Sequence, residues 1–278
     1  MNALIDPPLQ QLPRSRPRPA PPDRVVPALD LPTVSFFGRS LAEYTRFFAL
    51  DLDALKGRDV LDVGAGPSSF TAEACQRKID AAAVDPFYGG PVEGLAAQID
   101  ADYERMFAQM RAKRRLFRVG SRTVRPSLRR PATLVRSGRG TPPYFESLDA
   151  AEADRRAAAQ RFIGDYATHY AHGRYVGSSL PRLPFFDRTF DLVLCAHLLF
   201  VYSARFDFDW HLASCRELVR VSDGEVRIHP LVGADGRPYD GLAALRRDLR
   251  SGGIESDIVA VDYEFFAGAN SMLVLRRA

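Results

Sequence analysis

Residues 58–86 read RDVLDVGAGPSSFTAEACQRKIDAAAVDP. Val60, Leu61 and Val63 form a short apolar run, Gly64 and Gly66 interrupt it, a stretch of helical length follows, and Ala81 to Val84 is apolar again. Strand, glycine turn, helix and strand within about thirty residues is the length of one βαβ unit. Strands that are apolar without alternation are buried on both faces, which predicts a parallel sheet with helices on each side. Glycines directly after a buried strand and before a helix let the backbone approach a ligand and aim helix amides at it. A dinucleotide fingerprint would carry a third glycine at position 69, where Ser69 stands, and Asp62 is foreign to it, so nicotinamide and flavin cofactors are disfavoured. Asp85 ends the second strand, where a carboxylate can accept hydrogen bonds from both hydroxyls of a ribose. A nucleoside-type cofactor is expected.

Downstream, RYVGSSL from Arg174, the strand within LPFFDRTFDLVLCAHLLFVYS, a helix through Trp210 to Val221, the strand EVRIHPL, a helix from Tyr239 to Arg250 and a closing pair around SDIVAVDYEF and SMLVLRR complete a doubly wound sheet. Upstream, Ser40 followed by Glu43 reads as a capping box opening a helix whose Leu41, Tyr44, Phe47 and Phe48 recur at helical spacing. Residues 1–30, rich in proline and arginine and without apolar period, read as a disordered tail, leaving 31–278 as the domain. Between the two halves of the sheet, residues 89–173 exceed the link such a fold needs, so they must contain an insertion. Its first part puts Leu95, Ile99, Tyr103, Phe107 and Met110 on one helical stripe, residues 119–147 are aperiodic, and Asp149 to His172 is alanine-rich and helical. The insertion is a candidate lid.

The 278-residue chain has a net charge of +4 and pI near 9.1. Its basic residues are concentrated between Arg105 and Arg139, where no Asp or Glu intervenes. Such a block can attract RNA or phosphorylated ligands, or can be a solvated loop. Phe117 is the single aromatic from Arg111 to Arg139, which disfavours base stacking. No apolar run reaches the roughly 18–20 residues of a membrane span and no secretory leader is visible, while Cys75, Cys195 and Cys215 lack any paired spacing. A cytoplasmic protein without a disulfide framework or a cysteine zinc cluster is expected.

These residues, with LPFFDRTFDLV at Leu183 to Val193, resemble the motifs of class I S-adenosylmethionine-dependent methyltransferases. The acidic residue and glycines of the first motif match Asp62, Gly64 and Gly66, with Ser68 in place of a third glycine, and Asp85 matches the ribose-binding acid. The resemblance covers about 40–88 and 174–278. It implies a Rossmann-like methyltransferase fold, α/β with a mainly parallel seven-stranded sheet, and S-adenosylmethionine as cofactor, released as S-adenosylhomocysteine. It further implies that Asp62, Gly64, Ala65 and Gly66 hold the methionine portion and Asp85 the ribose. Pro86 and Phe87 would pack on the adenine, and Ser179, Leu180 and Ala196 would complete the cofactor wall. An acid that often follows the third strand is replaced near Ser179.

Ligands of open α/β sheets sit at the carboxyl ends of the strands, so a general base is sought after the fourth strand, where CAHLLFVYS places His197 and Tyr202. His229 and Glu264 are further candidates. Plainer uses exist for each: Asp62 can cap a turn, and Phe87 or a histidine beside an apolar run can fill core. No metal site is assigned. The fourth strand is not followed by the proline pair of amine-directed nucleic-acid methylases, and no Pro-Cys pair is present for cytosine C5 chemistry. The expected activity is methyl transfer to a small-molecule acceptor. The alternatives are an RNA or ribonucleoprotein methyltransferase using the basic segment, or a non-catalytic binding module.

Overall fold

The computed structural model describes residues 28–120 and 143–278. The remainder of the expected tail and most of the aperiodic basic segment lie outside the described residues. The elements in chain order are α1 (Leu41–Phe47), β1 (Asp59–Val63), α2 (Phe70–Gln76), β2 (Asp80–Val84), α3 (Val92–Ala112), α4 (Leu148–His169), β3 (Tyr175–Val176), β4 (Phe190–Ala196), α5 (Phe208–Val221), β5 (Ser222–His229), α6 (Leu242–Ser251), β6 (Ile254–Ala260) and β7 (Ser271–Arg277). The strands form one seven-stranded sheet in the order β3-β2-β1-β4-β5-β7-β6, parallel except for β7, which runs antiparallel to β5 and β6. This is the doubly wound α/β architecture that residues 58–86 predict.

Alternation along β4 divides the core. Leu192, Leu194 and Ala196 pack with α1, α2, α3 and α4, whereas Val193 and Cys195 pack with α5 and α6 through Cys215, Leu218, Leu245 and Leu249. Among the described residues, 89–173 contain two long helices, α3 and α4, 21 and 22 residues long and packed on each other. The stripe Leu95, Ile99, Tyr103, Phe107 and Met110 is buried as its spacing requires.

Two expectations are corrected. Ser40 does cap α1, its hydroxyl accepting from the Glu43 N–H at 3.4 Å. The Glu43 carboxylate does not close the box, because it is buried in an ion pair with Arg155 of α4. Leu29 and Asp30, assigned by composition to the tail, are anchored: the Leu29 N–H donates to the Ala234 carbonyl at 2.8 Å, and the Gln109 amide exchanges hydrogen bonds with the Asp30 backbone. Composition registers no partner that lies so far along the chain.

Candidate functional site

A cavity of about 250 Å³ opens where β1, β2 and β4 end. It is lined by Gly64, Gly66, Asp85, Pro86, Phe87, Ser179, Leu180, Ala196, His197 and Tyr202, so most of the residues singled out from the sequence share one wall system. Asp62 and Ala65 are buried behind that wall and do not line it. His229 is also buried behind it, its ring stacked on Phe47 at 4.8 Å with Nε2 facing the Ala269 carbonyl at 3.2 Å. Glu264 pairs with Arg118 and accepts the Gly268 N–H, and its neighbours Phe265 and Phe266 reach the cavity instead.

The glycine turn and the end of β2 are joined directly. The Gly66 N–H donates to Asp85 Oδ2 at 2.9 Å and the Phe87 N–H donates to Oδ1 at 3.0 Å. Burial pushes the Asp85 carboxyl up to about 6 against the pull of these two amides, so it is mostly ionised at neutral pH. Gly64 has a left-handed backbone with φ of 66°, and a Cβ there would meet the Leu198 side chain at 2.7 Å. The left-handed backbone, more than the rotatable Leu198 tip, is what favours glycine at this turn. Asp62 beneath it accepts from the Tyr44 hydroxyl at 3.1 Å, while its Oδ2 is buried without a partner among the described residues. Burial first, and the nearby Asp85 charge second, push its carboxyl up to about 8, despite the Tyr44 bond.

His197 follows β4 with a left-handed backbone, φ 53°, a conformation costly for a non-glycine residue and found where the chain is over-determined. Its N–H donates to the His229 carbonyl at 2.6 Å, and its ring lies edge-on to Phe47 and His229. Nδ1 is buried without a partner among the described residues. Burial, then the positive charges of Arg39 and, after His229, Arg155, hold the imidazole well below its ordinary range, so it is neutral at pH 7. Tyr202 uses its hydroxyl to accept the Ser35 N–H at 3.0 Å.

That last bond belongs to a feature absent from the sequence reading. Residues 29–39 run across the cavity as a strap, contributing Leu29, Leu31, Val34, Ser35, Phe37 and Arg39 to its lining. The strap is sewn to α3 by Asp102, which accepts the Phe36 N–H at 2.7 Å, and by the Tyr103 hydroxyl, which meets the Gly38 N–H at 3.2 Å. It sits on the glycine loop through the Arg39 carbonyl, which accepts from the Ser68 hydroxyl at 2.8 Å and the Ser69 N–H at 3.1 Å. Helices α3 and α4 add Met106, Met110 and Arg155, and Phe117 lies between them in the chain.

Three arginines at the described start of the basic segment are paired with acids of the same chain. Arg105 pairs with Asp102, Arg111 with Asp149 and Glu152, and Arg118 with Glu264, acids supplied by α3, α4 and the turn before β7. Among the described residues no helix is long and apolar enough to cross a membrane, and no cluster of His, Cys, Asp or Glu could hold a metal ion.

No protein-family model matches the chain. It is 26% identical over 249 residues to an uncharacterised protein of Methanocaldococcus jannaschii, spanning 90% of this chain and 99% of that one. Among solved structures it is similar to a TehB-like SAM-dependent methyltransferase from Corynebacterium glutamicum, at 12% identity and a TM-score of 0.40, covering 82% of this chain and 85% of that chain. It is likewise similar to the 1,6-didemethyltoxoflavin-N1-methyltransferase of Burkholderia thailandensis, solved with 1,6-didemethyltoxoflavin and S-adenosylhomocysteine, at 14% identity and a TM-score of 0.41, covering 84% and 76%.

Proposed function

We propose that the protein is an S-adenosylmethionine-dependent methyltransferase whose acceptor is a small, largely apolar molecule held between the sheet and the insertion helices. The observation that carries this reading is the Gly66–Asp85 contact at the cavity wall. It joins the glycine turn to an ionised carboxylate whose remaining lone pairs can accept ribose hydroxyls. The residues fit the cofactor: a side-chain-free turn for the methionine portion, Asp85 for the ribose, and Pro86, Phe87 and Leu180 for the adenine. Phe87 is braced by Phe36 of the strap at 5.0 Å.

When bound, the cofactor supplies a methyl group already activated by its sulfonium, so the protein's task is mainly alignment. Asp85 and the glycine turn orient the donor. The strap, pinned by Tyr202, limits water. His197 presents a neutral ring at the end of β4 and can accept a proton if the acceptor must lose one, although the arginines beside it oppose the imidazolium that results. Tyr202 acts by position, since its hydroxyl already holds Ser35.

The roofed, mostly apolar cavity favours a small acceptor over RNA, and so does the pairing of Arg105, Arg111 and Arg118 with acids of the same chain. Calorimetric titration with S-adenosylmethionine, S-adenosylhomocysteine and NADH tests the reading. The two sulfur compounds are expected to bind and NADH is not. The reverse pattern overturns the cofactor. Binding of the donor with no methylated product from a broad small-molecule panel would favour the non-catalytic module.

A further inference from the structure

Arg155 is 1% exposed, yet it forms part of the cavity lining. Its Nε and Nη2 donate to the Glu43 carboxylate at 3.0 and 2.6 Å, and Nη2 also reaches the Tyr263 hydroxyl at 3.4 Å. Its Nη1 is buried with no hydrogen-bond partner among the described residues. Arg39 of the strap lines the same cavity, donates from Nη1 to the Phe37 carbonyl at 3.1 Å, and has a buried Nε in the same unpartnered condition. A guanidinium cannot shed its proton, so these donors call for an acceptor that no described residue supplies, and their place in the lining lets a molecule in the cavity supply it.

The local charge count says what that acceptor should be. Glu43 is the carboxylate paired with Arg155, and burial works against its ionised form. The Arg155 charge and hydrogen bonds prevail and hold it below the usual carboxylate range. At the arginines themselves, two guanidiniums beside this one anion leave a single positive charge in excess, with His197 neutral nearby; Asp85 is held instead by the Gly66 and Phe87 N–H groups and Asp154 by the Ser40 hydroxyl. Around the arginines the wall is aromatic and aliphatic: the Arg155 guanidinium carbon lies 4.5 Å from the Phe265 ring centre and 5.5 Å from that of Phe37, with Met106, Met110 and Phe117 nearby in the lining.

We propose that Arg155, assisted by Arg39, anchors a carboxylate of the acceptor, which makes the substrate class a flat, apolar monocarboxylic acid. The proposal rests on the methyltransferase reading above and names its acceptor chemistry. A monoanion balances this local excess, a phosphate dianion overshoots it, and the two oxygens of a carboxylate match in number the two donors left over, Arg155 Nη1 and Arg39 Nε. The rival occupant is the cofactor's own methionine carboxylate, because Arg39 sits against the glycine loop.

The test uses the full-length protein, the variant Arg155→Lys, and the double variant Glu43→Gln with Arg155→Met, which removes both charges and so leaves no unpaired buried carboxylate. S-adenosylhomocysteine affinity is measured first by calorimetry. Benzoate, trans-cinnamate and indole-3-acetate, their primary amides, and phenylphosphonate are then titrated at saturating S-adenosylhomocysteine. At least one acid is expected to bind the wild type about tenfold more tightly than its amide, a preference reduced below about threefold in both variants while S-adenosylhomocysteine binding stays within about threefold. The proposal is overturned if no acid exceeds its amide, if the preference survives in the variants, or if phenylphosphonate binds best. Loss of S-adenosylhomocysteine affinity in Arg155→Lys would assign the arginine to the cofactor instead. Failure of the wild type to bind S-adenosylhomocysteine at all would defeat the methyltransferase reading itself, a separate result.

Discussion

The backbone N–H of Gly66 donates to the carboxylate of Asp85 at 2.9 Å, across 19 residues of sequence. The glycine turn after β1 and the acid at the end of β2 are thereby one unit: parallel pairing of Val63 with Val84 brings the strand ends level, and the amide fixes the carboxylate's orientation before any ligand arrives. Pre-set orientation is what lets one acid hold two ribose hydroxyls.

Asp85→Ala is expected to weaken S-adenosylmethionine more than about tenfold, since a charged hydrogen bond is worth roughly 1.5–3 kcal/mol. The affinity also has a predicted pH dependence. With its carboxyl at about 6, Asp85 becomes protonated as pH falls from 7 to 5 and loses acceptor capacity, so binding should weaken over that interval in the wild type and not in Asp85→Asn. Calorimetry at several pH values decides; a flat wild-type profile would remove Asp85 from the ribose.

Asp62 should reveal itself in stability. Its folded carboxyl titrates at about 8, above the ordinary 3.8, so between these values the native state holds a proton that the unfolded state has released. Stability must therefore fall as pH rises through that window. Asp62→Asn mimics the neutral form and removes the penalty. In the cofactor-free protein the variant's advantage is expected to grow from pH 5 to pH 8 by about 1 kcal/mol or more, roughly 2–4 °C in Tm. A constant difference across pH would mean that Asp62 ionises normally.

The legibility of this molecule in its sequence follows the range of the interactions. Gly64, Gly66 and Asp85 could be placed because a strand, a turn and a strand determine their positions locally. His197 could be placed because the end of a strand is a local feature too. The strap could not, since nothing periodic marks Leu29 to Arg39 and its position depends on Gln109, Asp102, Tyr103 and Tyr202, all distant in sequence. Arg155 reads as one more surface cation in an alanine-rich helix. A signal was nonetheless present: Arg155 falls on the helical stripe of Ala151, Ala158 and Phe162, which is buried. An arginine on an apolar stripe calls for a buried acid, and here that acid is Glu43, read from the sequence as a capping partner.

Gly38 offers a test of the strap that does not involve chemistry. A Cβ built there would lie 2.2 Å from the Pro67 carbonyl carbon and oxygen, an overlap with backbone that no rotamer relieves. Gly38→Ala must push the strap off the glycine loop or deform the loop. Destabilisation of about 2 kcal/mol or more is expected, together with weakened S-adenosylhomocysteine binding, whereas Gly253→Ala, where the added methyl meets nothing, should lose stability only through its left-handed backbone and leave binding unchanged. Thermal unfolding and calorimetry on the two variants read both effects. Normal cofactor affinity in a folded Gly38→Ala protein would separate the strap from the cofactor site.

The last prediction concerns His197. An imidazole in water titrates near neutrality, but burial and the charges of Arg39 and Arg155 hold this ring neutral well below pH 6.5. His229, buried beside it, is lowered to about 3. In the unfolded chain both rings protonate near 6.5, so below that pH the unfolded state binds more protons and stability must fall as pH drops through 6.5. His197→Gln removes one of these groups and should reduce the slope of stability against pH between about 6.5 and 5. NMR of ring-labelled protein should find no titration of the His197 resonances through the ordinary histidine range, and any His197-dependent methyl transfer should show no rise in rate through neutrality. If His197 is the proton acceptor, His197→Gln lowers turnover by roughly 10²–10⁴ and leaves S-adenosylhomocysteine affinity nearly unchanged. If the methyl-accepting atom carries no proton that must be removed at neutral pH, turnover should survive the substitution. A ring that titrates near 6.5 would show that the arginine charges do not reach it, and would undercut the electrostatics assigned to this end of the cavity.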